Sequence, residues 1–454
     1  MKKMIRVKFS SYFSFLFLIA VVSVAFCPLN LHAESNKKIR IGVSAPMKFV
    51  VGQHIAKGAE MAADEINAAG GVVINGEQYD YEVIVADDNC FLSVTDAVSA
   101  IERLITVKKV NFVLGGFSSQ GTLAQQEVMA DNKIIYLATG GTHPELNRRI
   151  AKNYDRYKYW FRIWLCSSPQ VFGYFAQVTP VIEKIRSELG IEKPKVALLM
   201  DKAVWIDPMV GVAKKLFPAM GCEVVGEWRP SVQATNLTAE YSAIKSSGAH
   251  IIFQISAGPV GNIYGKQWGE LKIPACLVGV NVEAGKASHW EGTRGMCNYE
   301  QTSGSPRANI TEKTLPFWDK FEARYKEDPM YTANLNYDVL FYLKDAIEKA
   351  GTLDSDTLIP ILEKTDYAGT LGRTVFTPRD HERPHDLTFG PDYKFLSGCQ
   401  WLDGKLTPMW PDGKEIHPAI IAAGSPSGWD KVKIASAVEY QIPPWVKKYW
   451  KEKK

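Results

Sequence analysis

Two hydrophobic patterns alternate along residues 39–138. Short apolar runs, such as Tyr81–Ala86 and Asn111–Leu114, have the length of buried strands. Between them lie segments whose apolar residues recur three and four positions apart, which is the spacing of one helix face. The first of these segments places Ile55 and Ala59 on one face and ends at two glycines, which suit a helix C-terminus. The alternation predicts an α/β fold with a doubly wound parallel sheet.

The same alternation starts again later in the chain and predicts a second lobe of the same class. Beyond Gly351 the pattern weakens into short strands and many prolines, with five tryptophans, which indicates an extended segment that covers the second lobe. The last eight residues are basic and show no pattern, so we expect a solvated end there. The predicted strands of the second lobe are Val196–Met200, Glu223–Trp228, Ile251–Ile255 and Ala275–Val278.

The N-terminus has the composition of a targeting segment. Four basic residues among the first eight precede an apolar run, Tyr12–Phe26, that is too short for a membrane span. Residues 1–33 are therefore predicted to be a secretory signal peptide that is cleaved after Ala33. Lipoprotein processing at Cys27 is the alternative, but the bulky Phe26 stands where a small residue is expected.

The charge of the mature chain argues against one class of partner. Residues 1–33 contain four of the 53 basic side chains and none of the 49 acidic ones, so the mature protein has 49 of each. Nucleic-acid binding depends on clustered lysine and arginine, and a balanced chain has no such excess. We therefore expect no nucleic-acid partner.

Two glycine-rich loops follow neighbouring predicted strands. Gly115–Gly121 contains two serines and precedes a helix predicted to begin near Thr122, and Thr139–Thr142 contains two threonines. In open parallel sheets, ligands bind beyond the carboxyl ends of the strands, where helix N-termini favour anions. The loops are thus candidates for holding a carboxylate and an ammonium group, although turns are commonly built from these residues in any case.

Residues 58–71, GAEMAADEINAAGG, and the later pair Asp87-Asp88 resemble the opening of type I periplasmic binding proteins. The similarity is to the amino-acid-binding group typified by the leucine/isoleucine/valine-binding protein, and it extends from about Lys38 to the 420s. It implies two doubly wound lobes joined by hinge strands. The implied boundaries are 38–160 and 290–366 for lobe 1, 161–289 and 367–425 for lobe 2, and 426–454 for a C-terminal extension.

The resemblance also implies a set of ligand-binding residues. Ser119 takes the position of the family's carboxylate-binding serine, next to Ser118, and Gly140 and Thr142 take the positions that meet the amino-acid head group. Trp205 matches an aromatic position that closes over the ligand from the other lobe, although plain packing at a loop is an equally good interpretation.

Two departures from the family pattern leave the ligand open. The family's ammonium-binding glutamate aligns with Asn281, and only a two-residue shift of the alignment brings Glu283 to that position. Burying an ammonium without an opposite charge is unfavourable, so the ligand need not be an α-amino acid. In the first loop, Lys48 and Phe49 replace a small polar pair, which suits an acid or an aromatic acid if Lys48 is not simply solvated.

One sequence motif points to catalysis. His381 to His385 formally match H-E-x-x-H, which binds zinc when both histidines share a helix face. Pro384 falls inside that helix and breaks it, so we expect a loop with solvated histidines and no metal. No nucleophile elbow, Walker A sequence or dinucleotide fingerprint is present, and we expect neither an enzyme nor a cofactor.

Six cysteines remain in the mature chain, and their pairing is not readable from the sequence. In the leucine-binding relatives, the cysteine at the position of Cys90 pairs with one where this chain has Ser118, so that disulfide is expected to be missing. Cys276 and Cys297 flank a possible loop, although buried free thiols are an equally good interpretation.

Together, the resemblance implies an exported, monomeric solute-binding protein. It is expected to capture a small carboxylate-bearing solute, foremost an amino acid or amide of the branched-chain type, for an inner-membrane ABC importer. The first alternative is a sensory module of the same fold that reports its ligand to a receptor. A less favoured one is an exported metalloenzyme that uses His381 and His385.

Overall fold

The computed structural model of the protein describes residues 37–453. The predicted signal peptide therefore lies outside the described residues. Within residues 37–453, no helix combines the length and the apolar character that a membrane span requires.

The first lobe is built around a six-stranded sheet with the order β2-β3-β1-β4-β5-β6, in which only β2 is antiparallel. Its elements are β1 (Lys37–Ala45), α1 (Val50–Ala68), β2 (Val72–Ile74), β3 (Glu77–Asp87), α2 (Val94–Thr106), β4 (Phe112–Gly115), α3 (Ser119–Asn132), β5 (Tyr136–Ala138), α4 (Glu145–Lys152), α5 (Tyr154–Tyr157) and β6 (Trp160–Arg162).

The second lobe contains a four-stranded parallel sheet with the order β10-β9-β7-β8. The chain enters it through a 23-residue helix, which begins the series α6 (Ser167–Leu189), β7 (Lys195–Met200), α7 (Asp207–Ala219), β8 (Glu223–Trp228), α8 (Thr238–Ser247), β9 (Ile251–Ser256), α9 (Gly261–Glu270) and β10 (Cys276–Asn281), followed by a 3₁₀ turn at Glu283–Gly285. Two lobes with doubly wound parallel sheets confirm the predicted fold class.

The rest of the chain, from residue 286 onwards, contributes helices and strands to both lobes. Its elements are α10 (His289–Thr293), β11 (Gln301–Gly304), α11 (Thr314–Tyr325), α12 (Tyr331–Ala350), α13 (Ser355–Leu362), β12 (Asp366–Gly369), β13 (Gly372–Val375), β14 (Ser397–Leu402), β15 (Lys405–Trp410), α14 (Pro418–Ala422), a 3₁₀ turn at Trp429–Lys431, and α15 (Pro444–Glu452).

Helix α12 returns to the first lobe and packs against α1. Gly58 of α1 lies so close to α12 that a Cβ atom there would stand 2.2 Å from the Ala333 carbonyl oxygen. Strands β11, β14 and β15 form an antiparallel sheet beside the second lobe. The Thr302 hydroxyl of β11 accepts a hydrogen bond from the backbone N–H of Asn281 in β10 at 2.9 Å. The chain therefore crosses between the lobes more than once.

The C-terminal segment is more ordered than the sequence suggested. Residues 444–452 form helix α15, which packs on the second lobe through two indole groups. Trp445 Nε1 donates to the Ile273 carbonyl at 3.0 Å, and Trp450 Nε1 donates to that of Pro274 at 2.6 Å. The expectation of an unpatterned solvated end was wrong because both indoles donate to carbonyl groups of the second lobe and Lys447 pairs with Glu188 at 2.6 Å.

Helix α15 also creates a pH-sensitive contact. The Trp450 and His250 rings lie 4.3 Å apart, and Nδ1 of His250 accepts a hydrogen bond from the Lys195 amide at 2.8 Å. Burial lowers the pKa of His250 to about 4, from an ordinary value of 6.5. The folded protein therefore disfavours the protonated ring more than the unfolded chain does.

We expect the free energy of unfolding to fall as pH decreases from about 6.5 to about 4, because protons then bind preferentially to the unfolded chain. Urea unfolding at a series of pH values would measure this fall. His250→Asn keeps an acceptor for the Lys195 amide but does not titrate, so the difference between wild type and variant isolates His250. Parallel pH profiles for the two proteins would contradict the prediction.

Candidate ligand-binding cleft

The strand order places one topological switch point in each sheet. In the first sheet β1 lies between β3 and β4, and in the second β7 lies between β8 and β9. Loops that leave the carboxyl ends of neighbouring strands diverge at such points and leave a crevice. The loops of both lobes line one cleft with an empty volume of about 820 Å³, including its opening to solvent.

Five of the residues named from the sequence line this cleft together. Ser118 and Ser119 follow β4, Gly140 and Thr142 follow β5, and Trp205 follows β7 on the opposite wall. Ser119 and Thr142 thus face the same space, and Trp205 faces it from the second lobe.

The two first-lobe loops are held together at Gly140. A Cβ atom there would lie 2.4 Å from the Phe117 carbonyl oxygen, so only glycine allows this approach. The Gly140 amide donates to the Gly116 carbonyl at 2.8 Å, and the Gly141 amide donates to that of Phe117 at 2.9 Å. The loop after β5 is therefore bonded along the loop after β4, which brings their hydroxyl groups into one site.

Helix α3 begins at this site, at Ser119 instead of the predicted Thr122. Ser118 occupies its N-cap position, and no side chain caps the helix. The Ser119 hydroxyl oxygen accepts a hydrogen bond from the His143 amide at 3.2 Å, so its hydrogen is left for another acceptor. Uncapped amides at a helix N-terminus and a hydroxyl donor together favour an anion.

Aromatic side chains form much of the remaining wall. Phe91 and Phe117 are 5.6 Å apart in an edge-on arrangement, and Trp164 and Tyr331 are 5.4 Å apart. The aromatic residues that line the cleft are Phe91, Phe117, Trp164, Tyr174, Trp205 and Tyr331.

Two charged residues line the described cleft. Asp201 is fully buried, and its carboxylate accepts hydrogen bonds from the Ser256 hydroxyl at 2.9 Å, the Tyr264 hydroxyl at 2.7 Å and two backbone amides. Burial raises the pKa of Asp201 to about 6 despite these donors. Lys202 is exposed and forms no ion pair among residues 37–453. The Asp201 carboxylate is thus occupied by hydrogen-bond donors of the protein, whereas the Lys202 ammonium group has no ionic partner among the described residues.

Three residues predicted to bind ligand do not line the cleft. Lys48 is exposed to solvent, and Phe49 packs edge-on against Phe91 at 4.9 Å, so it supports the wall from behind. Asn281 is fully buried, and its amide nitrogen donates to the Gly261 carbonyl at 2.8 Å and to Glu300 at 2.9 Å. We leave these three residues out of the proposed site.

Glu283, the alternative partner for an ammonium group, is also engaged elsewhere. Its carboxylate accepts from the Asn262 amide at 2.8 Å and pairs with Lys286. Its side chain is almost completely buried and does not line the cleft. Neither candidate for the family's ammonium-binding acid is therefore available in this geometry.

In the described part of the chain, one cluster of three side chains has the residue types that bind metal ions. Ligand atoms of His289, Cys297 and Glu300 lie within 4.8 Å of one another, in a fully buried position. Glu300 already accepts hydrogen bonds from Gln254 at 3.0 Å and Asn281 at 2.9 Å, and its other oxygen lies 2.9 Å from His289 Nε2. The carboxylate is satisfied by protein groups, so the geometry does not require an ion.

The H-E-x-x-H residues lie in the loop between β13 and β14, as Pro384 predicted. The expectation that both histidines are solvated was wrong for His385, which is fully buried and stacked on Phe161 at 4.0 Å. Its Nε2 atom lies 2.8 Å from Glu363 and its Nδ1 atom 3.1 Å from the Trp160 carbonyl oxygen. Because both ring nitrogens of His385 have protein partners, we assign this residue a structural role.

All six cysteines in the described part of the chain are free and buried. Cys90, for which no disulfide is expected, lines the cleft.

The cleft also contains residues that the sequence analysis missed. Trp164 lies at the crossing between the lobes, Gln170 and Tyr174 lie on α6, and Tyr331 begins α12. No local pattern connects these separate segments. The one usable signal was the helical spacing of Val171, Phe175 and Val178, which predicts α6 but not its position beside the ligand.

Known proteins share this architecture. Leu/Ile/Val-binding protein homolog 7 of Brucella abortus is 22% identical over 398 residues, which cover 85% of this chain and 94% of the relative. A branched-chain amino acid transporter substrate-binding protein of Streptococcus pneumoniae, solved with isoleucine, has a TM-score of 0.62 and 22% identity and covers 82% of this chain and 98% of its own. An R. palustris solute-binding protein, solved with benzoate, has a TM-score of 0.65 and 16% identity, with coverages of 88% and 99%.

The family model described as "Periplasmic binding protein" matches residues 38–391, which is most of the chain. This match confirms the resemblance that was drawn from residues 58–71 and the Asp87-Asp88 pair. The chain therefore belongs to the periplasmic binding protein family and is a solute-binding protein of the ABC transporter type, not an enzyme.

Proposed function

We propose that the protein is exported to the periplasm and delivers a small aromatic carboxylate to an inner-membrane ABC importer. Export is supported by the signal-peptide composition of residues 1–33. The importer is the partner that the family implies. The observation that carries the ligand class is the combination of an anion-binding loop pair, an aromatic wall and no free acidic side chain in one cleft.

The carboxylate end of the ligand is assigned to the first lobe. The Ser119 hydroxyl hydrogen, the uncapped amides of α3 and the Thr142 hydroxyl converge on one wall. Hydrogen bonds to a charged acceptor are about twice as strong as those between neutral groups. Lys202, the free cation of the cleft lining, adds attraction for an anion.

The other end of the ligand is assigned to the aromatic wall. An α-amino acid would bring an ammonium group, and Asp201, the one acidic side chain among the cleft-lining residues, has four donors on its carboxylate. An ammonium would therefore be desolvated without an acidic partner that is free of other donors, which is costly. A planar ring instead gains contact with Phe91, Phe117 and Trp205.

The relatives support both a branched-chain and an aromatic ligand, since one structural neighbour was solved with isoleucine and another with benzoate. The sequence identities are too low to decide between these two ligand classes, so we base the choice on the chemistry of this cleft. That chemistry favours the aromatic acid over the amino acid or amide of branched-chain type that the sequence put first.

Capture is proposed to proceed by closure of the lobes. The head group binds to the first-lobe loops, and Trp205 and the loop after β9 then meet the ligand from the second lobe. A ligand shifts the open and closed populations only by its difference in affinity for the two states. Contacts with both walls therefore favour the closed form, which the importer is expected to recognise.

Calorimetric titration of the mature protein with benzoate, leucine and isoleucine tests this proposal. We expect binding of benzoate and much weaker or no binding of the two amino acids. A thermal-shift assay provides a second readout, because a ligand at 100 times its dissociation constant adds about 2.7 kcal/mol of stability. Tight binding of leucine or isoleucine with no response to benzoate would overturn the aromatic assignment.

A further inference from the structure

Helix α15 carries a row of lysines on the second lobe, on the side opposite the cleft. Its indole groups hold it to the carbonyl groups of Ile273 and Pro274, which come just before strand β10. The cleft residues of this lobe instead follow the carboxyl ends of the strands, as Val282 follows β10. A strand of six residues is roughly 20 Å long, so a partner bound to α15 would leave the cleft open.

The packing of α15 determines which of its side chains face outward. Val446 is fully buried, and Trp445 and Trp450 are half-buried against the lobe. Lys447 pairs with Glu188 of α6 at 2.6 Å, which ties down one edge of the helix. The lysines on the remaining, solvent-exposed surface are Lys448, Lys451 and Lys453.

The protein itself neutralises these three lysines very little. Lys451 and Lys453 have no ion-pair partner among residues 37–453. Lys448 approaches Glu452 only to 3.9 Å, with side chains that are 76% and 66% exposed, and ion pairs this exposed contribute little. The surface of α15 therefore has an excess of positive charge, although the mature chain as a whole is balanced.

Aromatic and apolar side chains border these lysines. Tyr449 and Trp450 are partly exposed, and Lys453 Nζ lies 4.9 Å from the centre of the Tyr449 ring. Leu271, two residues before the Ile273 contact, is 41% exposed. Lysine, tyrosine and tryptophan side chains together are typical of protein surfaces at the boundary between lipid headgroups and water. A soluble polyanion would use only the charge, so the combination favours a lipid surface.

We propose that α15 and residues 271–274 bind the surface of a bilayer that contains anionic phospholipid, with Lys448, Lys451 and Lys453 facing the lipid phosphates. Each lysine close to an anionic membrane surface adds attraction, and salt screens that attraction. Such binding holds the exported protein beside a membrane whether or not the cleft contains ligand. The inference goes beyond the proposed function, because it concerns a separate surface and a separate partner.

Co-sedimentation of the mature protein with lipid vesicles tests this inference. One set of vesicles mixes phosphatidylglycerol with phosphatidylcholine, and the other contains phosphatidylcholine alone. We expect the affinity for the anionic vesicles to be at least about tenfold higher than for the neutral ones. Raising the NaCl concentration from about 0.1 M to about 1 M should remove the difference, because the Debye length falls from about 10 Å to about 3 Å.

A triple variant locates the binding surface. Combining Lys448→Gln, Lys451→Gln and Lys453→Gln should reduce the affinity for anionic vesicles at least about tenfold, because it removes the outward-facing charges. Its benzoate affinity should equal that of wild type, since α15 lies away from the cleft. The matched control removes the same charge from exposed lysines outside α15 and should keep its vesicle binding; it combines Lys133→Gln, Lys349→Gln and Lys364→Gln.

Three results would overturn the inference: no preference for anionic vesicles, unchanged binding by the α15 variant, or an equal loss in the control variant. Heparin, a soluble polyanion, provides the remaining comparison. If the protein binds heparin as tightly as anionic vesicles, charge alone is recognised and the assignment to a lipid surface is wrong. None of these results bears on the proposed function, which the benzoate titration tests separately.

Discussion

Replacing Ser119 with alanine is expected to weaken carboxylate binding by roughly 10- to 100-fold while leaving the fold intact. The reason is that the hydroxyl oxygen already accepts from the His143 amide, which leaves the hydroxyl hydrogen for the ligand. Hydrogen bonds to charged groups contribute about 1.5–3 kcal/mol, and each 1.4 kcal/mol is a factor of ten in affinity. Titration of wild type and variant with the best-binding acid measures the loss.

Two controls make this result specific. Ser246→Ala removes a serine hydroxyl from the exposed face of α8, where it donates to the Ser242 carbonyl, and should not change the affinity. Benzamide lacks the carboxylate charge and should distinguish wild type from the Ser119 variant much less than benzoate does. If Ser119→Ala binds the acid as tightly as wild type, the carboxylate is not held at the α3 N-terminus.

The second large effect concerns the packing of α1 on α12. A Cβ atom at Gly58 would lie 2.2 Å from the Ala333 carbonyl oxygen, and backbone atoms of a packed helix cannot move aside alone. Gly58→Ala therefore has to separate the two helices. We expect a loss of about 1–3 kcal/mol in the free energy of unfolding, as is typical for an overpacked core. Urea unfolding monitored by tryptophan fluorescence measures this loss.

Gly211 provides a control with the opposite expected sign. It lies on the exposed side of α7, and nothing lies within 4 Å of a Cβ atom built there. Gly211→Ala should stabilise the protein by about 0.5–1 kcal/mol, because alanine loses less backbone freedom in a helix than glycine. Equal effects of the two substitutions would show that helix propensity, and not the contact with Ala333, dominates at Gly58.

Local patterns predicted all four strands of the second sheet and β1, β3, β4 and β5 of the first, because burial in a parallel sheet leaves a strong signal, but they did not predict β2 and β6. Residues 251–256 and 276–281 are completely buried and form continuous apolar runs apart from a few small or amide residues. Element ends were less accurate. Helix α3 begins three residues before the predicted Thr122 because Ser118 takes its N-cap, and glycine and serine in the first turn hid that start.

The burial and the hydrogen-bond partners of individual polar residues were harder to predict. Asn281 and His385 looked like surface or ligand groups in the sequence, yet each is completely buried with protein partners. Those partners, Glu300 for Asn281 and Glu363 for His385, are 19 and 22 residues away along the chain. No periodicity within one element encodes such a pair, because the contact exists only after the elements have packed.

By itself, the sequence determined the two doubly wound lobes, the family and the hydroxyl-bearing loops at Ser119 and Thr142, since strand length, helix spacing and loop composition are local properties of the chain. Only the tertiary structure decided what surrounds those loops. Trp164, Gln170 and Tyr331 come from separate segments and meet where the lobes face each other. The protein groups that contact the ligand depend on how these segments pack, because hydrogen bonds and ring contacts act only over a few ångströms. Separation along the sequence does not predict such contacts.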